Sequence, residues 1–176
     1  GQQNIKKGDE ILITELEHHS NYVPWHFLRE TRGAIIKFAP INDDGDIIID
    51  ELKNLITSKT KIIAVTHLSN VTGTIVPIKE IVEIARKKNI PVLVDGCQST
   101  PHIKVDVKDL DCDFYAISCH KVYGPTGVGI LYAKKKWLEK LPPYIGGGGM
   151  ISEVKKDKIS YAPLPEKYEA GTMPTA

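Results

Sequence analysis

The feature that most constrains this chain is a rhythm: short β-branched runs of strand length alternate with segments whose apolar residues recur at helical spacing. Glu10 to Thr14 reads as a strand, and Tyr22 to Arg32 as a helix closed by Gly33. Strands follow at 34–38, 61–66, 91–95, 114–118 and 129–132, with helices at Ile49 to Ser58 and Pro77 to Asn89. In the last of these Ile78, Ile81, Val82 and Ala85 share one face, and Pro77 suits a first turn. Asp50 is the expected N-cap of the helix before it. Strands apolar on both faces, separated by helices, call for a mostly parallel sheet covered on two sides, so the expected class is α/β with three αβα layers.

Such sheets bind ligands beyond the carboxyl ends of their strands. Those ends carry Glu17-His18-His19, then His67-Leu68-Ser69-Asn70, then Asp95-Gly96-Cys97-Gln98, then Ser118-Cys119-His120-Lys121. The polar and titratable residues gather at these four places and are expected to converge in space. After Gly124 the composition changes. Gly124-Pro125-Thr126-Gly127 reads as a tight turn, Gly146 to Gly149 as a flexible loop, and the polar stretch from Ser152 to Ala176 as irregular.

Charge excludes some partners. Lys and Arg number 23 against 22 Asp and Glu, a net charge of +1, which supplies no global field for nucleic acid or an anionic membrane. The local clusters Arg86-Lys87-Lys88 and Lys134-Lys135-Lys136 read as solvated caps or turns. No apolar run approaches the about 20 residues of a membrane helix, and no signal-like segment opens the chain. Cys97, Cys112 and Cys119 form no CxxC pair, which fits a reducing, cytoplasmic setting, and each reads as a small buried hydrophobe. No Cys/His spacing suggests a metal site.

Chemistry centres on two residues. An ammonium at Lys121, beyond a buried strand, is partly desolvated, which frees its amine as a nucleophile. Asp95 ends another strand, where a carboxylate is costly unless it meets a cation or a donor. A nucleophilic lysine and a buried aspartate on neighbouring strand ends are what pyridoxal phosphate (PLP) requires: one binds its aldehyde, the other keeps its pyridine nitrogen protonated. His18 is placed to lie flat on an aromatic cofactor. Ser118 and His120 suit a phosphate, and Asn70 and Gln98 suit the ring oxygen or a substrate.

On these residues the sequence resembles the cysteine desulfurases of PLP fold type I (aminotransferase class V), and within them the SufS-like group. The matching pieces are Glu17-His18-His19-Ser20-Asn21 with Pro24-Trp25, Thr66 to Gly73, Val92 to Gln98, Asp111 to Tyr115, Ser118-Cys119-His120-Lys121 with Tyr123 to Gly129, Gly146 to Ile151, and Glu169-Ala170-Gly171-Thr172. They run in family order over nearly the whole chain. The resemblance implies a PLP-binding large domain over residues 1–176, truncated at both ends and without the small C-terminal domain. Lys121 matches the Schiff-base lysine, Asp95 the partner of the pyridine nitrogen, and Gln98 the contact to the ring hydroxyl. His18 matches the stacked histidine and a proton carrier, Ser118 and His120 phosphate ligands, and Asn70 a residue near cofactor and substrate. Thr172 matches a threonine that reaches the phosphate of the other subunit in a homodimer.

The implied reaction takes sulfur from L-cysteine, leaving L-alanine. A cysteine thiolate holds the sulfur as a persulfide for an acceptor protein and for iron–sulfur cluster assembly. None of Cys97, Cys112 and Cys119 matches that thiolate, and the family's carboxylate-binding arginines fall beyond Ala176, so the fragment alone is expected to be inactive. Thr172-Met173-Pro174-Thr175 departs from the family's Thr-Pro-Asn. Other PLP reactions fit the same anchors: a selenocysteine lyase, a kynureninase-like hydrolase or a small aminotransferase. A non-catalytic assembly domain is the alternative of another class.

Overall fold

In the computed structural model, which describes residues 4–172, six strands form one sheet: β1 (Glu10–Thr14), β2 (Ile35–Ala39), β3 (Thr60–Thr66), β4 (Val92–Asp95), β5 (Phe114–Ser118) and β6 (Gly129–Ala133). Their order is β2-β1-β3-β4-β5-β6. All neighbours are parallel except β6, which runs antiparallel to β5. The expected mostly parallel sheet is therefore present, and its first five strands end at a common edge.

Alternation along the strands builds two cores. Leu12, Ile63, Val65, Val92, Val94 and Tyr115 face one side. There they meet α2 (Ile49–Leu55) through Leu52 and α3 (Ile78–Arg86) through Ile78, Ile81, Val82 and Ala85, the stripe anticipated from spacing. Leu110 and Val107 of α5 (Val107–Leu110) pack against the same cluster. Ile11, Ile13 and Ala64 face the other side, where Leu28 and Trp25 of α1 (Val23–Arg32) cover them. Every residue of β1 is buried, as a strand between two helical layers demands. Gly33 closes α1 with a left-handed φ of 70°, and its N–H returns to Arg29 O, a backbone state that glycine adopts without a Cβ penalty.

Several sequence-level expectations need correction. Asp50 does not cap α2: the residue before the helix is Ile48, and exposed Asp50 lies in the first turn, paired with Lys53 at 3.0 Å. That helix ends at Leu55, because Ile56 is already extended. Pro77 precedes α3 rather than starting it, and the helix stops at Arg86, three residues early, before Asn89 with its φ of 56°. The Lys134 to Lys136 cluster does cap α6 (Lys135–Lys140), with the Lys135 and Lys136 side chains exposed, but it is also tied down by carboxylate and carbonyl partners. Lys134 donates to Asp111 O at 2.7 Å and Lys136 pairs with Asp113 at 3.1 Å, at the start of this helix. The segment after Ser152 contains order: β7 (Ile151–Val154) and β8 (Ile159–Tyr161) form an antiparallel hairpin. The short helix α4 (Ser99–His102) was also unforeseen, since Pro101 masks its pattern.

One close approach fixes the β4 end. Gly96 lies against the buried ring of Tyr115, and a Cβ built there would overlap the ring carbons. We expect Gly96→Ala to destabilise the fold by about 2 kcal/mol or more, measured by urea unfolding against the parent chain; an unchanged midpoint would contradict this packing.

Candidate active site

The shared edge brings the four polar clusters together. Thr66 pairs with Asp95 across β3 and β4, and Asp95 with Ala116 across β4 and β5. The ladder continues one step outward, His67 N–H to Asp95 O and Gly96 N–H to Ala116 O, both at 2.9 Å. Asp95 thus stands between the ends of β3 and β5. Its Oδ1 accepts Cys97 N–H at 3.0 Å, and among the described residues its Oδ2 has no hydrogen-bond partner.

Beyond β5 the chain turns through a short 3₁₀ segment, Cys119–Lys121, that carries Lys121. The lysine is half-buried and makes no ion pair among the described residues. Gly124 keeps the following turn tight: its N–H returns to Cys119 O at 2.9 Å, and a Cβ would press on Cys119. Burial chiefly pushes the Cys97 thiol up, the neighbouring Asp95 carboxylate adds to this, and Ser118 and the Lys121 charge oppose it. The Cys97 sulfur lies 3.1 Å from Ser118 Oγ. Cys97, read from sequence as a small buried hydrophobe, is only half-buried and links the Asp95 turn to Ser118. A thiol held protonated is a poor nucleophile.

Other anticipated residues take less enclosed places. His18 is exposed and opens the 3₁₀ turn His19–Asn21; its Nδ1 accepts Ser20 N–H at 3.1 Å. His19 is exposed beside it, the ring centroids 5.9 Å apart. Asn70 is exposed in the loop after β3, and His120 is exposed next to Lys121. Gln98 is half-buried and precedes α4 without capping it. Thr172 is exposed and follows Gly171, whose N–H bonds Gly148 O at 2.9 Å, so it lies by the glycine-rich loop. Of the Thr172-Met173-Pro174-Thr175 segment, 173–175 lie outside the described residues.

Two features escaped sequence reasoning. Behind Asp95, the Tyr115 hydroxyl lies 2.6 Å from Ser99 Oγ and 2.9 Å from His67 Nδ1, tying β3, β5 and α4 beneath the β4 end. Burial lowers the His67 pKa, favouring the neutral ring. The other feature is Glu17. It accepts Thr14 Oγ1–H at 2.6 Å, Thr66 N–H at 3.0 Å and Asn21 Nδ2–H at 2.6 Å. Burial still outweighs these donors, Asp95 adds repulsion, and the pKa rises to about 7. Glu17 lies three residues beyond β1, in the polar cluster that the sequence places at that strand end, but its role and partners were not read from it.

Comparison with known proteins follows this geometry. The aminotransferase class-V family pattern matches residues 1–176. A probable cysteine desulfurase of Halalkalibacterium halodurans is 49% identical over 172 residues, covering 98% of this chain and 42% of the relative. The crystal structure of the Escherichia coli cysteine desulfurase CsdA superposes with a TM-score of 0.93 at 41% identity, covering 98% of this chain and 43% of that one. A mutant of C-DES with glycine covalently linked to its PLP cofactor gives 0.85 at 30%, covering 96% and 46%. The chain thus spans less than half the length of these relatives.

Because the Glu17 pKa is raised on folding, the native state holds its proton more tightly than the unfolded chain does. Its contribution to stability is fully present below about pH 4.5 and declines as pH rises to about 7. The loss is about 3 kcal/mol. Unfolding free energies measured from pH 4.5 to 8 should carry this slope, and Glu17→Gln should remove it; an identical slope in the variant would refute the assignment.

Proposed function

Since the chain belongs to the aminotransferase class-V family, we propose that the protein carrying it is a PLP-dependent cysteine desulfurase, and that residues 1–176 are part of its large cofactor domain. One observation carries the reading. A half-buried lysine, without an ion pair among the described residues, follows β5, and an aspartate ends its parallel neighbour β4, so the two stand at one carboxyl edge of the sheet. The names of the relatives, cysteine desulfurases at 41–49% identity, support the same chemistry.

The donor set fits PLP. Lys121 supplies the amine for its aldehyde. Asp95 Oδ2 is free to accept a hydrogen bond from a protonated pyridine nitrogen, while Cys97 N–H holds Oδ1. When bound, PLP would draw electrons from the substrate α-carbon. The protein's part is to hold and exclude. Gln98 is assigned to the ring hydroxyl, Ser118 and His120 to the phosphate, and Asn70 to the substrate side. His18 covers the ring face and carries protons at Nε2, the nitrogen that Ser20 leaves free. Burial of the Tyr115, His67 and Ser99 cluster keeps the Asp95 turn from yielding.

The substrate is proposed to be L-cysteine, giving L-alanine and sulfur for an acceptor protein and iron–sulfur cluster assembly. A cytoplasmic homodimer, with Thr172 reaching the partner's cofactor, completes the proposal. Among the described residues no helix is long and apolar enough to cross a membrane.

Titration of the chain with PLP tests the reading. We expect a visible absorbance band that Lys121→Ala abolishes, and affinity about tenfold or more weaker in Asp95→Asn, since a charge-assisted bond is lost. No band, or a band that survives Lys121→Ala, would overturn it.

A further inference from the structure

We propose that Glu17 is a positioning residue whose two carboxylate oxygens clamp the turn carrying His18 onto the end of β3. The functional part of this rests on the reading of His18 as the residue that covers the cofactor ring. The clamp itself stands on geometry alone.

Oε1 accepts two hydrogen bonds, from Thr14 Oγ1 and Thr66 N, and so fixes Glu17 to the ends of β1 and β3. Oε2 accepts the third, from Asn21 Nδ2. Asn21 in turn donates its backbone N–H to His18 O at 2.8 Å. His18 is therefore bracketed: the residue before it is tied to β3, and the residue three positions later is tied both to Glu17 and to the His18 carbonyl. An exposed ring could not otherwise keep one place at small entropic cost.

The polarity of every bond in the clamp is set. Thr66 contributes a backbone N–H, which can only donate. Thr14 Oγ1 already accepts Leu16 N–H at 3.2 Å, so its hydrogen is free for Glu17. Trp25 Nε1–H donates to Asn21 Oδ1 at 3.2 Å, which turns the Asn21 NH₂ towards Glu17. Three donors thus converge on one side chain, and only a group that accepts at both ends satisfies them. The carboxylate does so at a cost in desolvation, visible in its raised pKa. A glutamine of the same shape would not: with its oxygen on Thr66, its NH₂ would oppose that of Asn21. Asn21 could turn over only by presenting NH₂ to the indole N–H of Trp25.

This polarity gives a rescue that loss of packing alone would not produce. Amide hydrogen exchange, followed by NMR at pH 8 where Glu17 is ionised, reads the clamp without PLP. We expect Glu17→Gln to speed exchange of the Asn21 and Tyr22 amides by about tenfold or more. In a Trp25→Phe background, where Asn21 is free to turn over, the same Glu17→Gln change should alter those rates by no more than about twofold. Unchanged exchange in Glu17→Gln, or equal acceleration in both backgrounds, overturns the proposal. Should Glu17→Gln fail to fold, Asn21→Ala takes its place: it should speed Tyr22 exchange while Thr66 N–H stays protected, and an unchanged Tyr22 rate overturns the clamp. Failure of the chain to bind PLP would contradict the cofactor reading and leave these rates as they are, so the two failures are distinguishable.

Discussion

The site depends on the in-line termination of parallel strands. Thr66, Asp95 and Ala116 stand side by side in one register, and the hydrogen-bond ladder reaches one residue past β3 and β4 before the chains diverge. A parallel sheet buried on both faces leaves its edge as the place where polar side chains meet solvent or a ligand. Residues as distant in sequence as Glu17 and Lys121 become neighbours of one strand end because the backbone register puts them there. A one-residue slip of β4 would turn Asp95 to the other face and separate it from the turn that carries Lys121.

Polar groups at this edge are costly, and the fold meets the cost with directed partners. Tyr115, Ser99 and His67 satisfy one another beneath the Asp95 turn, and Gly96 lets the Tyr115 ring approach the backbone. Glu17 takes three donors on the opposite flank of β3. Lys121 and Asp95 Oδ2 are left without protein partners among the described residues, and these two groups are where ligand chemistry is available. Cys97 donates its backbone N–H to Asp95 and holds its sulfur 3.1 Å from Ser118 Oγ, and burial together with Asp95 keeps its thiol protonated.

Much of this was legible in the sequence, for physical reasons. The apolar stripe of α3 and the buried β1 and β3 follow from periodicity, because burial on one or two faces dictates it. The convergence of the clusters after β1, β3, β4 and β5 follows from the topology of parallel sheets. What escaped depends on contacts that cross the chain. Glu17 bonds Thr14 and Asn21 nearby, but the Thr66 N–H that completes its set lies 49 positions away, and His67 lies 48 from Tyr115, so neither set can be read from the local sequence. Asp50 failed as a cap because Ile48 rather than Asp50 occupies the capping position, a shift of two residues that propensity does not resolve. The β7–β8 hairpin was missed because its strands are only four and three residues long and largely exposed, too short for an alternating pattern to stand out.

The most direct measurement is chemical trapping. The chain would be incubated with PLP, reduced with borohydride, digested and mapped by mass spectrometry. If a single free amine at the strand edge receives the cofactor while Asp95 holds its far side, the pyridoxyl group will be found on Lys121, and Asp95→Asn will lower its yield there. Label spread evenly over the exposed lysines, or absent from Lys121, would contradict the account.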